Sequence, residues 1–545
     1  MNRLKIFKNK ILLLIVLFTL LGGFFRFYMN TDNPPSLNID EISYGYSAYS
    51  ILKTGKDENG IFMPLVFKSI GDYKNPVLIY SLVPSIAIFG LNEFGVRFTT
   101  ALAGTLSIPV FFLLLRTLLN NTRIAFIGGI LLSVSPWHIY YSRYASESLI
   151  ATFLLMLGIW FFLKIFGGEK WWTVGASLAL TLSLYTYHSH RLFIPLFLIF
   201  VIFAKIKLLR SVKSSMYIFI IMTFLLIIPL IILVIIGPAN TRAKMVFLSL
   251  DIDFTRYVIL DHLHKQGENF LLLFFWVKRY LNYFQPDFLF FSGLNMTLPG
   301  SIGLGVLFLF ELPWFVLGII KLIKDKIPAK LIIVAWTLFG LLPASLTNNE
   351  QSTVRSLLVL PALLTVTALG ADFFIHLVFS IRNLYLRIGT ILTYSIFIAV
   401  LLIHAFLVFV VHFPIQRGED FMEGTKQTVE YALSQKKQYK EIIFDPYRGI
   451  EAPYIVSIPH MYILFYSQYD PAIYQQEQKT RPDGSFGFDN FTVRKIDWRV
   501  DKSKENTLFI GSPWSLPENE LREGEILKKV YLVNGGLAFL IVSPK

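Results

Sequence analysis

The chain is predicted to be an all-α polytopic membrane protein of about eleven transmembrane helices with a small C-terminal extracytoplasmic α/β domain. Three observations predict it. The 545 residues are 54% hydrophobic and 16% aromatic, with a mean hydropathy of +0.57, too apolar for a soluble globular chain of that length. Apolar runs of roughly 20 residues, the length a helix needs to cross a bilayer, recur between residues 11 and 413. After Pro414 those runs stop and the composition becomes that of a soluble domain.

The first run, 11–28, follows a basic start (Arg3, Lys5, Lys8, Lys10). It lacks a small-residue cleavage site and many similar segments follow it, so it is read as a retained helix and not a signal peptide. Further spans are expected at 97–119, 123–141, 149–166, 171–187, 192–209, 216–237, 302–323, 331–346, 356–379 and 388–413. Residues 76–90 are apolar too, and charge decides their placement. If they lie along the surface, the cytoplasmic side holds the N-terminus, Arg116 with Arg123, Lys164 with Lys170, Lys205-Lys207-Arg210-Lys213, Lys321-Lys324-Lys326-Lys330, and Arg382 with Arg387. Every inner loop is then net basic, as the positive-inside rule asks. Counting 76–90 as a span would put them all outside, so an interfacial or re-entrant helix is expected.

This topology describes a multi-pass protein of the cell membrane with a cytoplasmic N-terminus and an extracytoplasmic C-terminus. The transmembrane domain is 1–414, with a first outer loop at 30–96 and a large one at 238–301. Shorter outer loops fall at 142–148, 188–191 and 347–355. The extracytoplasmic domain, 415–545, is read as a helix at 419–437, a strand at 441–444, a helix at 459–468, and strands at 491–496, 507–510 and 537–542.

Charge and cysteine content exclude several functions. The net charge of +14 suggests nucleic acid, but residues 415–545 hold 17 Lys+Arg against 18 Asp+Glu, leaving 33 against 18 in the preceding part. The basic excess belongs to the membrane half, where orientation accounts for it, so no nucleic-acid partner is expected. With no cysteine, disulfides, thiolate catalysis and cysteine metal sites are all removed.

The chemistry-bearing residues collect in the outer loops. Asn38-Ile39-Asp40-Glu41 reads two ways: Asn38 caps a helix with Glu41 completing a capping box, or the acidic pair serves catalysis. Tyr73-Lys74-Asn75-Pro76 opens the surface helix with Pro at its first turn. Lys74 either snorkels to headgroups or lies at the positive end of that helix where a lipid phosphate would sit. Ser142-Arg143-Tyr144-Ala145-Ser146-Glu147 opens a span on the outer side. Glu147 either favours a helix N-terminus or is a functional acid at a membrane boundary. Arg97 and Arg355 add outer-face cations. His188 and His190 flank Ser189 beside Arg191, and His262 and His264 lie in the large outer loop. Either pair could bind a metal with a carboxylate, but i,i+2 spacing puts two side chains on one face only in a strand, so hydrogen-bonded interfacial histidines are expected in preference to a metal pair. Glu311 and Asp372 fall inside apolar spans and read as buried polar contacts.

Taken in order, these features are an N-terminal span, an outer loop with Asp40-Glu41, Lys74-Asn75-Pro76 opening a surface helix, Arg97 starting the next span, and Arg143 four residues before Glu147. The pattern resembles the glycosyltransferase family 39 group, which includes protein O-mannosyltransferases and the aminoarabinose transferases of lipid A, all of the GT-C fold. The resemblance covers 38 to about 166 by motif and the later spans by hydropathy, by Pro299-Gly300 with Pro313, and by Arg355 ahead of Leu360-Pro361. It implies a glycosyltransferase that takes a polyprenyl-phosphate-linked sugar and passes it to an extracytoplasmic hydroxyl on protein, lipid or glycan. It also implies that Asp40 is the catalytic carboxylate, that Lys74 with Arg97 and Arg355 holds the lipid phosphate, and that Glu147 is a second active-site acid. Tyr73, Asn75, Arg143, His188, His190 and Arg191 are further candidates for substrate contact. Three departures stand out, one of them a soluble tail that differs from the sugar-binding β-trefoil insert of the eukaryotic mannosyltransferases. Asn75 replaces the first proline of the family's Pro-Pro, and Tyr73 stands where the aminoarabinose transferases carry a metal-binding Glu, so the metal is unknown and a divalent ion stays open.

The residues allow a definite mechanism. A phosphate leaving group needs cations and not a general acid, whereas the acceptor hydroxyl needs a base, for which Asp40 is the choice. One base and one displacement imply inversion at the anomeric carbon. Glu41 or Glu147 as a nucleophile would keep a retaining route open. Two rivals remain. A lipid or glycan transporter or flippase would more often show internal repeats and mid-membrane polar groups. A lipid-linked oligosaccharide polymerase or ligase would share the outward-facing site, and the early Asp-Glu with Lys-x-Pro tells against it.

Overall fold

The computed structural model describes residues 2–69, 71–168, 170–235, 265–294, 303–327, 329–348, 351–477, 479–480 and 485–544. Most of the expected large outer loop 238–301, with His262, His264 and Pro299-Gly300, lies outside the described residues. The chain is mostly helical, with strands concentrated in its C-terminal part. Among the described residues, six helices are long and apolar enough to cross a membrane: Lys10–Phe27, Glu93–Leu119, Glu147–Ile165, Ile206–Ile235, Thr353–Ser380 and Leu384–Arg417. A bent pair, Thr122–Val134 with Pro136–Ser142, makes a seventh if it counts as one span. Helix Pro76–Phe89, expected to lie along the surface, has 14 residues, which at 1.5 Å each reach about 21 Å, short of a hydrocarbon core of about 30 Å.

The chain folds as two compact units, residues 1–28 with 100–407, and residues 29–99 with 408–545. In the first, Pro136 dictates the bend of 54°. It pushes Ser135 out of the helical region, to φ −53° and ψ 120°, as a proline does to the residue before it. Because residue 136 has no N–H, the carbonyl of Leu132 loses its helical donor, and the carbonyl of Ser133 lies at the same break. Buried Arg26 supplies replacements, donating from Nη2 to Leu132 O at 3.1 Å and from Nη1 to Ser133 O at 3.1 Å. A further Nη2 contact reaches His138 Nδ1 at 2.8 Å.

Helices Glu311–Lys324 and Leu360–Ser380 approach through glycines. A Cβ on Gly370 would stand 1.7 Å from the carbonyl oxygen of Trp314, and one on Gly318 would stand 2.0 Å from that of Val366. Such small-residue contacts are how helices pack where lipid removes the hydrophobic drive. Asp372, on the second of these helices, forms an ion pair with Arg123 Nε at 3.0 Å and accepts from Lys321 Nζ at 3.5 Å. Its apolar segment hides a charge only because cations from two other helices meet it. Glu311 is a buried polar contact of the local kind, accepting from the Phe308 N–H at 2.7 Å.

The second unit is built on a six-stranded sheet in the order Phe486–Phe488, Phe491–Val493, Glu441–Phe444, Thr507–Gly511, Leu537–Val542, Ile526–Tyr531. Glu441–Phe444 runs parallel to both neighbours and the other pairings are antiparallel. Ile443, Trp498, Phe509, Leu516, Leu540 and Val542 form a core on it. Ile526–Tyr531 is an edge strand that sequence patterning missed. Lys528 and Lys529 interrupt its apolar pattern, and lysines are what keep an edge strand from pairing further. The rest of this unit is residues 29–99: the helix Ile39–Thr54, a hairpin of Phe67–Ser69 with Asp72–Lys74, and the surface helix.

Alanine normally favours a helix over glycine by about 1 kcal/mol. Gly370→Ala is expected to do the reverse, driving Cβ into a backbone oxygen and costing about 1–3 kcal/mol as overpacking does. Gly389→Ala, with no heavy atom within 4 Å of the added carbon, should leave stability unchanged or raise it. Thermal melts of both variants in one detergent check this.

Candidate active site

The site begins with a helix cap. Asn38 Oδ1 accepts from the Glu41 N–H at 2.9 Å and Glu41 Oε2 accepts from the Asn38 N–H at 3.0 Å, a complete capping box. This sets the first turn of helix Ile39–Thr54 and sends its two acids apart, since consecutive residues on a helix lie roughly 100° from each other.

Glu41 turns inward. It and Arg97 are both 0% exposed. Arg97 donates from Nε to Glu41 Oε1 at 3.0 Å and from Nη2 to Oε2 at 3.3 Å. Its other donors go to carbonyls, from Nη1 to Asn30 O at 2.9 Å and Pro34 O at 2.8 Å, and from Nη2 to Ser36 O. All five N–H groups of the guanidinium are used inside the loop, so none is left over for a lipid phosphate.

Asp40 turns outward, and its side chain is 46% exposed. Lys74 Nζ donates to its Oδ1 at 2.5 Å. Lys74 is itself only 5% exposed and is held by hairpin pairing opposite Phe67. Its ammonium also lies 6.0 Å from the centre of the Tyr44 ring. Tyr44 is four residues after Asp40, one turn along the same helix face, so Lys74 spans a carboxylate and an aromatic ring together. Asn75 is the buried N-cap position of the surface helix with Pro76 next to it, and Tyr73 is partly exposed beside Lys74.

The first unit holds the remaining candidates. Glu147 is the buried first residue of helix Glu147–Ile165 and acts electrostatically on Arg191. Arg191 donates to Leu184 O at 3.1 Å and to His188 Nδ1 at 2.8 Å, while His190 pairs with Ser183 Oγ at 2.7 Å. Both histidines are thus hydrogen-bonded within the fold. Arg143 Nη1 donates to Phe25 O at 2.8 Å. Arg355 lies on the short helix Thr353–Ser356, which Trp137 Nε1 and Tyr141 OH hold at the Thr353 carbonyl and hydroxyl. Arg355 and the buried Arg279 both act on the Tyr283 phenol. Sequence reading missed Arg279, whose one signal is the Lys278-Arg279 pair inside an apolar helix.

Among the described residues no group of three or more His, Asp or Glu side chains is gathered to hold a metal ion. The cation on Asp40 is the Lys74 ammonium.

Residues 73–233 match the family model of dolichyl-phosphate-mannose-protein mannosyltransferases. An uncharacterized protein of Aquifex aeolicus (strain VF5) is 30% identical over 132 residues, a match spanning 24% of this chain and 26% of that relative's length. ArnT from Cupriavidus metallidurans in the apo state superposes with a TM-score of 0.56 at 13% identity, over 97% of each chain. The oligosaccharyltransferase AglB from Archaeoglobus fulgidus, in complex with an inhibitory peptide and a dolichol-phosphate, superposes with a TM-score of 0.50 at 13% identity, over 98% of this chain and 74% of that one. The chain is therefore a multi-pass membrane protein with the fold of the GT-C glycosyltransferases. The family match begins at residue 73 and leaves Asp40-Glu41 outside it, while the solved structures share the fold of the whole chain.

Another carboxyl of the same loop is tuned near neutrality. Burial raises Glu58 from 4.5 to about 7, although Ser47 Oγ donates to it at 2.6 Å. Between those values the folded chain keeps a proton that the unfolded chain has released. The stability contributed by this group is thus fully present below about 4.5 and lost as pH rises through about 7. Glu58→Gln should flatten that slope and raise the melting temperature most above pH 7, as melts between pH 5 and 8 would report.

Proposed function

We propose that the chain transfers a sugar from a polyprenyl-phosphate-linked donor to an extracytoplasmic hydroxyl on a protein, lipid or glycan, with Asp40 as general base and Lys74 as the cation for the donor phosphate. The observation that carries this reading is the Lys74–Asp40 pair, a buried ammonium reaching a half-exposed carboxylate. A lipid phosphate arriving at the pair competes for the ammonium. Once Lys74 turns to the phosphate, the Asp40 carboxylate is released to accept a proton. The acceptor oxygen then attacks the anomeric carbon, its proton passes to Asp40, and the carbon–oxygen bond to phosphate breaks. The lipid phosphate leaves as a monoester whose added charge Lys74 stabilises.

Glu41, engaged by Arg97 through both oxygens, is a poor nucleophile. The single-displacement, inverting route is therefore preferred. Two proteins of the same fold support a polyprenyl-phosphate donor: ArnT was solved bound to undecaprenyl phosphate, with a TM-score of 0.53 to this chain, and AglB with a dolichol-phosphate. The basic inner loops support a cytoplasmic N-terminus and an extracytoplasmic C-terminus. Membrane lipids are the surroundings of the reaction, and nucleic acid has no part in it.

Transfer from synthetic polyprenyl-phosphate sugars by the purified protein in nanodiscs tests the reading. Asp40→Asn should lower kcat by about 10²–10⁴ at matched folding, and Lys74→Ala should lower kcat/KM by about 10²–10³. Full activity of Asp40→Asn would remove the base assignment. A folded wild type that turns over no donor with any acceptor would favour the transport reading.

A further inference from the structure

We infer that the C-terminal α/β region positions the catalytic helix, acting through Tyr462 and Phe465. The inference rests on Asp40 being the base, and it gives the region a role in the same reaction.

The contact is made by helix Pro459–Tyr466, which packs against helix Ile39–Thr54. Tyr462 is fully buried, and its hydroxyl donates to the carbonyl of Leu37 at 2.7 Å. Leu37 immediately precedes Asn38, so this bond holds the peptide from which the capping box springs. Phe465 packs against the helix one turn beyond Glu41. A Cβ on Gly45 would stand 2.7 Å from the Phe465 ring and 2.8 Å from the Val96 side chain, so the two helices meet at that point with no room for a methyl group. Gly45 lies four residues after Glu41, on one face, and Tyr44 lies four after Asp40, on the next. The Glu41/Gly45 face is thus clamped by Arg97 and Phe465, and the Asp40/Tyr44 face is turned toward Lys74.

Further bonds hold the rest of the helix. Tyr46 OH donates to Tyr469 O at 3.1 Å. Gln475 Nε2 donates to Ser50 Oγ at 3.1 Å, Thr54 Oγ1 at 3.2 Å and Asp57 O at 2.8 Å. The Arg97 helix is gripped from the same region, since Glu93 Oε1 accepts from Tyr466 OH at 3.1 Å and Lys426 Nζ at 2.9 Å. Both helices that orient Asp40 are therefore fastened to residues 426–475. General-base catalysis is sensitive to displacements of about 1 Å, so loosening this clamp reaches the chemistry without touching substrate.

The test uses the full chain in nanodiscs with Tyr462→Phe, Phe465→Ala and the conservative Phe465→Leu. Tyr462→Phe and Phe465→Ala should lower kcat by about tenfold or more while donor KM stays within about twofold, and Phe465→Leu should recover most of the rate. Hydrogen exchange of the same samples should show faster exchange of the amides at 38–44 in the first two variants and unchanged exchange in the hairpin at 67–74. Unchanged kcat together with unchanged protection of 38–44 would overturn the inference. So would a loss confined to donor KM. If the wild type itself transferred no sugar, the proposed function would fail, and the exchange data alone would decide whether the C-terminal region holds this helix.

Discussion

The second unit depends on one buried ion pair. Glu41 and Arg97 are both wholly removed from water, and two charges in that state are destabilising unless their geometry and remaining hydrogen bonds are complete. Here they are complete. The carboxylate takes two guanidinium donors and one backbone N–H, and the guanidinium spends its remaining donors on the carbonyls of residues 30, 34 and 36. Arginine's planar fork suits this and lysine's point charge would not. The partly exposed Lys436–Asp489 pair of the same unit is of the kind worth at most about 1 kcal/mol. The Glu41 pair does what that one cannot: it fixes which way the first turn of a helix faces, and so which way Asp40 points.

The membrane unit answers a different constraint, that every polar group in lipid must be satisfied within the protein. Arg26 takes up the carbonyls of Leu132 and Ser133 at the Pro136 break. Asp372 meets cations from two other helices. Gly318 and Gly370 let two helix backbones touch. None of these groups needs a substrate to account for it, which separates them from Lys74 and Asp40, where a buried cation is held at a carboxylate that remains open to solvent.

How much of this was legible in the sequence depended on separation along the chain. The Asn38 to Glu41 capping box spans three residues and could be read directly. The role of Arg97 could not, because its partner lies 56 residues away, and from sequence an arginine opening an outer-facing span looks like a cation for substrate. The bend at Ser135 was signalled by Pro136, but the run 123–141 is apolar enough overall to read as one span. The chain from 29 to 99 reads as a loop of the membrane part, yet it packs into one unit with the C-terminal region through bonds such as Tyr462 to Leu37, 425 residues apart. Hydropathy reports immersion, and it says nothing about which outer segments pack together.

In the proposed reaction one ammonium is shared in succession by Asp40 and a lipid phosphate. Its most direct test is the affinity of the protein for polyprenyl phosphate in nanodiscs at fixed salt. If Asp40 competes with phosphate for Lys74, Asp40→Asn should bind the lipid about tenfold more tightly than the wild type, roughly 1.4 kcal/mol, and Lys74→Ala should bind it more weakly. Binding weakened to the same degree in both variants would mean that the pair acts as a unit in holding the lipid, and would contradict the release of Asp40 as the base.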